Sequence, residues 1–294
     1  MQTVCSKLIT SLITLALSLG VAAMTACGGS PSAPKAEAAS RAAPPATTQA
    51  EAPSSPAPSS PPSNPTPAPP SPAPPSQPPT FAQIQDMAGW SWCTAKRNGA
   101  PCASGRGNAT SSLAPKQADP SLSGASAAFT LGGNTPYSNA LWWKTLSTDT
   151  SPTHFTYDLN FMIDNPGAAQ ALEFDTNQAI GANRYTWGTE CNYRGTGKWD
   201  IWNDETEQWE ATSVPCPEVS ANQWHHLTWQ FERVGTQVHY ISVTLDGKTS
   251  KVDAYRNYQT GVGGNGYDVA LQLDGDFQQS PYKVWLDKVN LTAW

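Results

Sequence analysis

Within residues 171–178, ALEFDTNQ, Glu173, Asp175 and Asn177 recur at the period of a β-strand, so they leave one face of a sheet while Leu172 and Phe174 leave the other. Paired carboxylates on one strand face suit glycoside chemistry, in which a nucleophilic carboxylate and a second, proton-donating carboxyl group flank the bond being broken. Glu173 and Asp175 are the catalytic candidates on this ground. Gln178 stands five residues after Glu173, where a further acid would complete such a pair, and an amide does not donate a proton as a carboxylic acid does. Glu190 or Asp274, from a neighbouring strand, are the alternative donors. Two other readings stand beside catalysis: a polar ladder that holds sugar hydroxyls without cutting, and a plainly solvated face.

Holding a sugar needs apolar surface as well as polar groups, because a pyranose packs its C–H face on an indole and offers its hydroxyls to Asp, Asn and Gln. Trp187, Trp199, Trp202 and Trp209 crowd the stretch around Cys191 and Cys216. The carbohydrate-contacting candidates are therefore Asn177, Gln178, Trp187, Glu190, Trp202, Gln272 and Asp274. Each tryptophan has a competing role in the core, since an indole buries roughly 150–250 Å². Of the adjacent pair Trp142 and Trp143, alternation sends one inward and the other outward. His225 and His226 also point to opposite sides and have no nucleophile or metal partner in a motif, so their expected role is structural. Asp274-Gly275-Asp276 lacks the oxygen-rich spacing of a calcium loop, and no metal or cofactor is expected.

The elements that must position these residues are strands. Residues 155–163 send Phe155, Tyr157, Leu159, Phe161 and Ile163 one way and Asp158 and Asn160 the other, the pattern of a half-buried antiparallel strand. Runs of similar composition cover 171–177, 184–191, 198–202, 224–233, 238–246, 267–274 and 283–293. Between them lie turn signals at Asn165-Pro166-Gly167, Gly195-Thr196-Gly197, Asp246-Gly247 and Gly263-Gly264-Asn265-Gly266. No window carries a long apolar stripe at helical spacing, so the spacing predicts an all-β, antiparallel two-sheet sandwich or jelly roll.

Trp224-His225-His226-Leu227-Thr228-Trp229, followed by Val243-Thr244-Leu245-Asp246-Gly247-Lys248, resembles a stretch of laminin-G-like and concanavalin A-like domains. Val284 to Leu291, with its Asp287-Lys288-Val289 step, is similar to the last strand of that superfamily. ALEFDTNQ precedes these elements in the order seen in laminarinase- and lichenase-type glucanases. The resemblance spans about Leu141 to Trp294 and implies a concanavalin A-like jelly roll. It also implies Glu173 as a nucleophile and Asp175 as the aspartate that tunes it. The family's acid/base position falls on Gln178 in a bulged spacing or Asn177 in a regular one, and both are amides. The expectation is thus a lectin-like carbohydrate-binding domain, with a retaining glycosidase or polysaccharide lyase as the alternative and a structural or adhesion module of the envelope as a third reading.

The N-terminal third is chemically unlike the rest. An apolar run from Leu8 to Ala23 has the length and flanks of a signal-peptide core and is short for a membrane span. It leads into Met24-Thr25-Ala26-Cys27, which resembles a bacterial lipobox; this implies a signal peptide over 1–26 and lipidation at Cys27. Residues 27–80 are Pro, Ala, Ser and Thr with few charges and cannot bury a core, so a disordered, extended tether is expected. Residues 81–294 hold all 12 tryptophans and form the expected folded domain. Gly28 after the cysteine favours the outer membrane or cell surface.

The whole chain carries 17 Lys and Arg against 23 Asp and Glu, without a basic cluster, which argues against nucleic acid as partner. An oligo- or polysaccharide, and a membrane reached through the lipid, are the expected partners. Four cysteines remain after Cys5 and Cys27; of the three pairings open to four cysteines, sequence proximity in an oxidising compartment makes Cys93–Cys102 and Cys191–Cys216 the simplest.

Overall fold

The structure, a computed structural model, describes residues 78–94 and 109–294. The signal peptide, Cys27, the tether up to residue 77 and Cys102 lie outside the described residues, and with them the Cys93–Cys102 pairing.

Among the described residues the chain forms fifteen strands in chain order. They are β1 (Thr80–Phe81), β2 (Ser91–Thr94), β3 (Ala109–Gln117), β4 (Ser126–Gly133), β5 (Asn139–Ser147), β6 (His154–Ile163), β7 (Ala169–Trp187) and β8 (Thr189–Asn192). There follow β9 (Lys198–Asn203), β10 (Gln208–Pro215), β11 (His225–Val234), β12 (Gln237–Leu245), β13 (Lys248–Asn257), β14 (Gln259–Gly275) and β15 (Tyr282–Ala293). One sheet of eight strands has the order β13-β12-β11-β6-β15-β4-β3, with β1 added on β15; the other, of seven, runs β10-β9-β8-β7-β14-β5-β2. Every pairing is antiparallel, so the molecule is the two-sheet sandwich that the alternation implies.

The core lies between the sheets and is built on aromatic pairs that bridge them. Phe161 of β6 meets Phe174 of β7 at 5.1 Å between ring centroids, Phe129 of β4 meets Trp142 of β5 at 5.3 Å, and Trp199 of β9 meets Trp229 of β11 at 5.2 Å. Phe155 of β6 packs in the same way on Trp187 of β7 at 5.1 Å. Such pairs favour tilted and edge-on geometries and contribute about 0.5–1.5 kcal/mol each beyond the area they bury.

Local chemistry closes the hairpins. Asp246 and Gly247 both have positive φ, 50° and 79°, and make the two-residue β12–β13 turn whose twist matches its strands. The expected turn at 263–266 is instead part of β14, where the pairing register with β7 shifts between Thr260 and Gly264. Gly266, at φ 122°, lies so close to Ser147 that a Cβ there would sit 2.0 Å from its carbonyl oxygen. The glycines thus bend a long strand rather than end it. Similarly, 184–187 belong to the same strand as 171–177, and β8 begins only at Thr189.

Asp287, from the Asp-Lys-Val step of β15, is fully buried and anchors the segment before β4. It accepts hydrogen bonds from Ser121 Oγ (2.6 Å), Leu122 N (2.5 Å), Ser123 N (3.0 Å) and Ser123 Oγ (2.5 Å). His225 and His226 are structural, as expected: His225 Nδ1 lies 2.7 Å from Asp246 Oδ2 and His226 Nε2 lies 2.8 Å from Asp158 Oδ2.

Candidate functional site

β7 occupies the middle of the seven-stranded sheet, and its inner side chains, Leu172 and Phe174, fill the core. Glu173, Asp175 and Asn177 therefore project from the outer face, away from the second sheet. The pairing of β7 with β14 runs without a shift from Tyr267 opposite Gln178 to Asp274 opposite Ala171, so ALEFDTNQ is a regular strand with no bulge.

That regularity corrects the role given to Gln178. It follows Leu172, Phe174 and Thr176 on the inner side and is 0% exposed. Its Nε2 donates to Pro152 O at 2.9 Å and its Oε1 accepts from Arg233 Nε at 2.8 Å. Gln178 ties the sheets together and is no part of the outer face. Asn177 is the residue that stands in the regular acid/base position. Trp187 is likewise corrected: at 0% exposure, packed on Phe155 and Phe231, it is core and offers no platform.

Strand pairing gathers the other candidates into a row across the sheet. Asp200 of β9 stands opposite Glu190 of β8, which stands opposite Glu173 of β7; Gln272 of β14 and Leu141 of β5 continue the line to Cys93 of β2. On the side toward the start of β7, Asp274 pairs with Asn139 of β5; on the other side Asp268 pairs with Asn177, and Asp175 with Ala270. Trp143, opposite Ala270, is half-buried on one flank, and Trp142 beside it points the other way, into the core. On the other flank Trp202 is buried, its Nε1 donating to Asp204 Oδ1 at 2.9 Å, and meets the more open Trp209 edge-on at 5.3 Å. Trp209, rather than Trp202, thus presents the more accessible indole there.

Carboxylates directly opposite one another repel, and burial removes the water that would stabilise their charge. Glu173, only 5% exposed, is pushed well above the usual carboxylate range, first by burial and then by the charges of Asp274, Asp175 and Glu190. Gln272 Nε2 donates to Glu173 Oε1 at 2.5 Å, and Asp274 is the other hydrogen-bonding neighbour of Glu173. Burial also raises Asp274, and the hydrogen bonds from Glu173, Asn139 and Gln272 oppose it. Glu190 rises well above its range through burial, then the charges of Asp274, Asp200 and Asp175. Burial pushes Asp175 up to about 7 against the hydrogen bond from Thr189 N, which is 3.0 Å from its Oδ1.

The arrangement mixes acids with amides: Glu173 and Asp274, both raised above the usual carboxylate range, stand beside the amides of Gln272 and Asn177. A retaining nucleophile must be ionised, and burial beside other acids works against a charge on Glu173. Among the described residues no group of three or more acids, histidines or cysteines is arranged to ligate a metal ion.

Of the sequence-derived candidates, the structure brings Glu173, Asp175, Asn177, Glu190, Gln272 and Asp274 onto one face. Asp200 was not among them, although its alternation with Trp199 and Ile201 in KWDIW placed it outward. Cys191, next to Glu190, is bonded to Cys216 with Cα atoms 5.5 Å apart, which holds the start of the β9 hairpin at the edge of the row.

No family model matches the chain, and no curated protein matches it in sequence. Solved structures with a similar chain path include a carbohydrate-binding module of the β-sandwich superfamily, at 9% identity and TM-score 0.36, aligned over 69% of this chain. The alignment spans 56% of that module's chain. The cellulose-induced protein Cip1 aligns at 8% identity and TM-score 0.45 over 72% of this chain and 96% of its own. A mutant of alginate lyase Aly36B in complex with alginate trisaccharide aligns at 12% identity and TM-score 0.42, over 62% of this chain and 88% of its own.

Proposed function

We propose that this protein is a carbohydrate-binding module, exported and tethered to the cell surface by a lipid on Cys27, and that it holds its glycan on the outer face of the seven-stranded sheet. The observation that carries the reading is the row Asp200, Glu190, Glu173 and Gln272, flanked by the half-buried Trp143 and Trp209. A solvated ladder would leave its carboxylates in water, whereas Glu173, Asn177, Glu190 and Gln272 are buried, with Gln272 donating to Glu173 and Asn177 to Asp268. Sugar hydroxyls both donate and accept, and such a mixed set of acids and amides meets both needs.

Glycoside hydrolysis is a second reading, favoured by one observation. Glu190 stands directly opposite Glu173, which places their Cβ atoms about 5 Å apart. Retaining enzymes hold two carboxyl groups about 5–5.5 Å apart, a requirement that two glutamates rising from directly opposed positions on one face have the reach to meet.

A glycan array combined with an assay for released reducing sugar, run on wild type and Glu173→Gln, separates the two. Binding without release by either protein is the expected result. Release by wild type that disappears in Glu173→Gln would establish hydrolysis, and binding to no glycan would leave a structural module. The tether is checked separately: Cys27→Ser should abolish labelling by a radioactive fatty acid and move the protein from the membrane to the soluble fraction.

A further inference from the structure

Beyond the outer-face row, at the end of the sheet marked by the Asn139–Asp274 pair, two large aromatic rings stand in water. Phe277 is 70% exposed and Tyr137 is 53% exposed, and their rings meet edge-on at 6.2 Å between centroids. Tyr137 lies two residues before Asn139 and Phe277 three after Asp274, so the rings cap two strands that pair directly in the row's own sheet. Both rings sit in turns at the Asn139–Asp274 end of these strands.

The backbone that carries the rings is held, not loose. Tyr137 has φ 58° and Gln279 has φ 54°, left-handed conformations uncommon outside glycine, which persist only where the surroundings impose them. Tyr137 N donates to Asp276 O at 3.1 Å and Gly275 N to Ser138 O at 2.9 Å. Gln279 is buried inside this corner, where its Oε1 accepts from Ser138 N at 2.9 Å. Its side chain lies against Gly275 so closely that a Cβ there would be 2.2 Å from Oε1. Backbone strain and a buried amide are thus used to fix a corner whose visible product is an exposed aromatic pair.

We infer that Tyr137 and Phe277 form an aromatic subsite for a further unit of the same glycan, a neutral pyranose that stacks its C–H face on Phe277 while the outer-face row holds its neighbours. This rests on the carbohydrate-binding reading of the row. Rigid rings suit the role because little conformational freedom is lost on binding. The nearest row members, Asp274 and Asn139, are polar, so an apolar surface beside them supplies what hydroxyl contacts alone do not. Tyr255, an exposed ring that stacks on His239 in the other sheet, lacks this continuity with the row.

The test is affinity measured on neutral β-glucan, mannan and xylan fragments, each as disaccharide and hexasaccharide, for wild type, Phe277→Ala, Tyr137→Phe and the control Tyr255→Ala. Phe277→Ala should weaken hexasaccharide binding roughly tenfold and leave disaccharide binding unchanged. Tyr137→Phe should retain wild-type binding, because the ring is kept, and so should Tyr255→Ala. Equal hexasaccharide affinity in wild type and Phe277→Ala overturns the subsite while leaving the row's function intact. A Phe277→Ala variant that loses adsorption to phosphatidylcholine vesicles but no glycan affinity overturns it in favour of a lipid contact. Wild type that binds none of these fragments overturns the subsite together with the reading it rests on.

Discussion

Glu173 shows how neighbours decide what a side chain does. An isolated glutamate on an outward strand face would be ionised, yet burial and three surrounding carboxylates oppose the charge on this one and raise its pKa. The consequence for stability has a definite sign. A carboxyl group whose folded pKa is raised binds more protons than the unfolded chain, so its stabilising effect is complete below the unfolded value and is lost as pH rises through the folded one. Asp175, moved from 3.8 to about 7, loses that contribution across this interval, and Glu173 and Glu190 act in the same direction. Asp287 has the opposite sign: burial works against its charge, but the bonds from Ser121, Ser123 and the Leu122 and Ser123 amides outweigh it and hold it below its usual value. Its stabilisation is present above the unfolded value and is lost as pH falls through the folded one. Thermal unfolding followed by circular dichroism should therefore peak near about pH 4–5 and decline toward neutrality. Glu173→Gln should flatten the decline and raise the unfolding temperature at pH 7.5 by roughly 3 °C. Asp287→Asn should cost about 2 kcal/mol in a denaturant titration at neutral pH, where the caging donors lose a charged acceptor.

At the scale of elements, a period-two pattern states which residues share a face but leaves open where a strand bends. β14 is the case in point. Its glycine-rich segment carries the signals of a turn, yet pairing with β7 on both sides of the register shift holds it extended, and Gly266 supplies only the close approach to Ser147. Asp268, two residues later, depends on this bend for its place opposite Asn177, whose Nδ2 donates to it at 2.9 Å. Gly266→Ala should then destabilise the domain by about 3 kcal/mol or more, because backbone must move to admit a methyl group. Gly247→Ala, at a positive φ but with nothing within 4 Å of the added Cβ, should cost only about 1 kcal/mol. Equal losses in the two variants would show that conformation, not crowding, governs Gly266.

The whole molecule is acidic, with net charge −6, and the outer face concentrates that sign. Asp175, Glu190, Asp200, Asp268 and Asp274 gather there with Arg184, whose charge lowers Asp175 and Asp268, as a neighbouring cation. A uronate polymer would bring more negative charge to a face that already suppresses its own. Isothermal titration at pH 7.5 should detect no binding of polygalacturonate fragments. Affinity for a neutral glycan should vary less than about twofold between about 0.05 and 0.5 M salt, since screening has no ligand charge to act on. Tight binding of a polyanion would place the glycan elsewhere on the molecule.

Strand class, the sandwich and the outward direction of Glu173, Asp175 and Asn177 were determined by the sequence alone, because alternation of apolar and polar side chains is a local property of a pleated chain. That one of Trp142 and Trp143 is core and the other outward was legible for the same reason, and the structure decided that Trp142 is the core residue. Even the inward direction of Gln178 follows from its parity with Leu172 and Phe174, once the strand is known to be regular. Regularity itself belongs to pairing with β14, ninety residues away in sequence, and so do the placement of Glu190 and Asp200 beside Glu173 and the corner that presents Phe277. Tertiary structure decided these because register between distant strands is set by the packing of both faces at once. The raised pKa of Glu173 follows from that register, since charges repel and water is excluded only where separate strands bring the acids together.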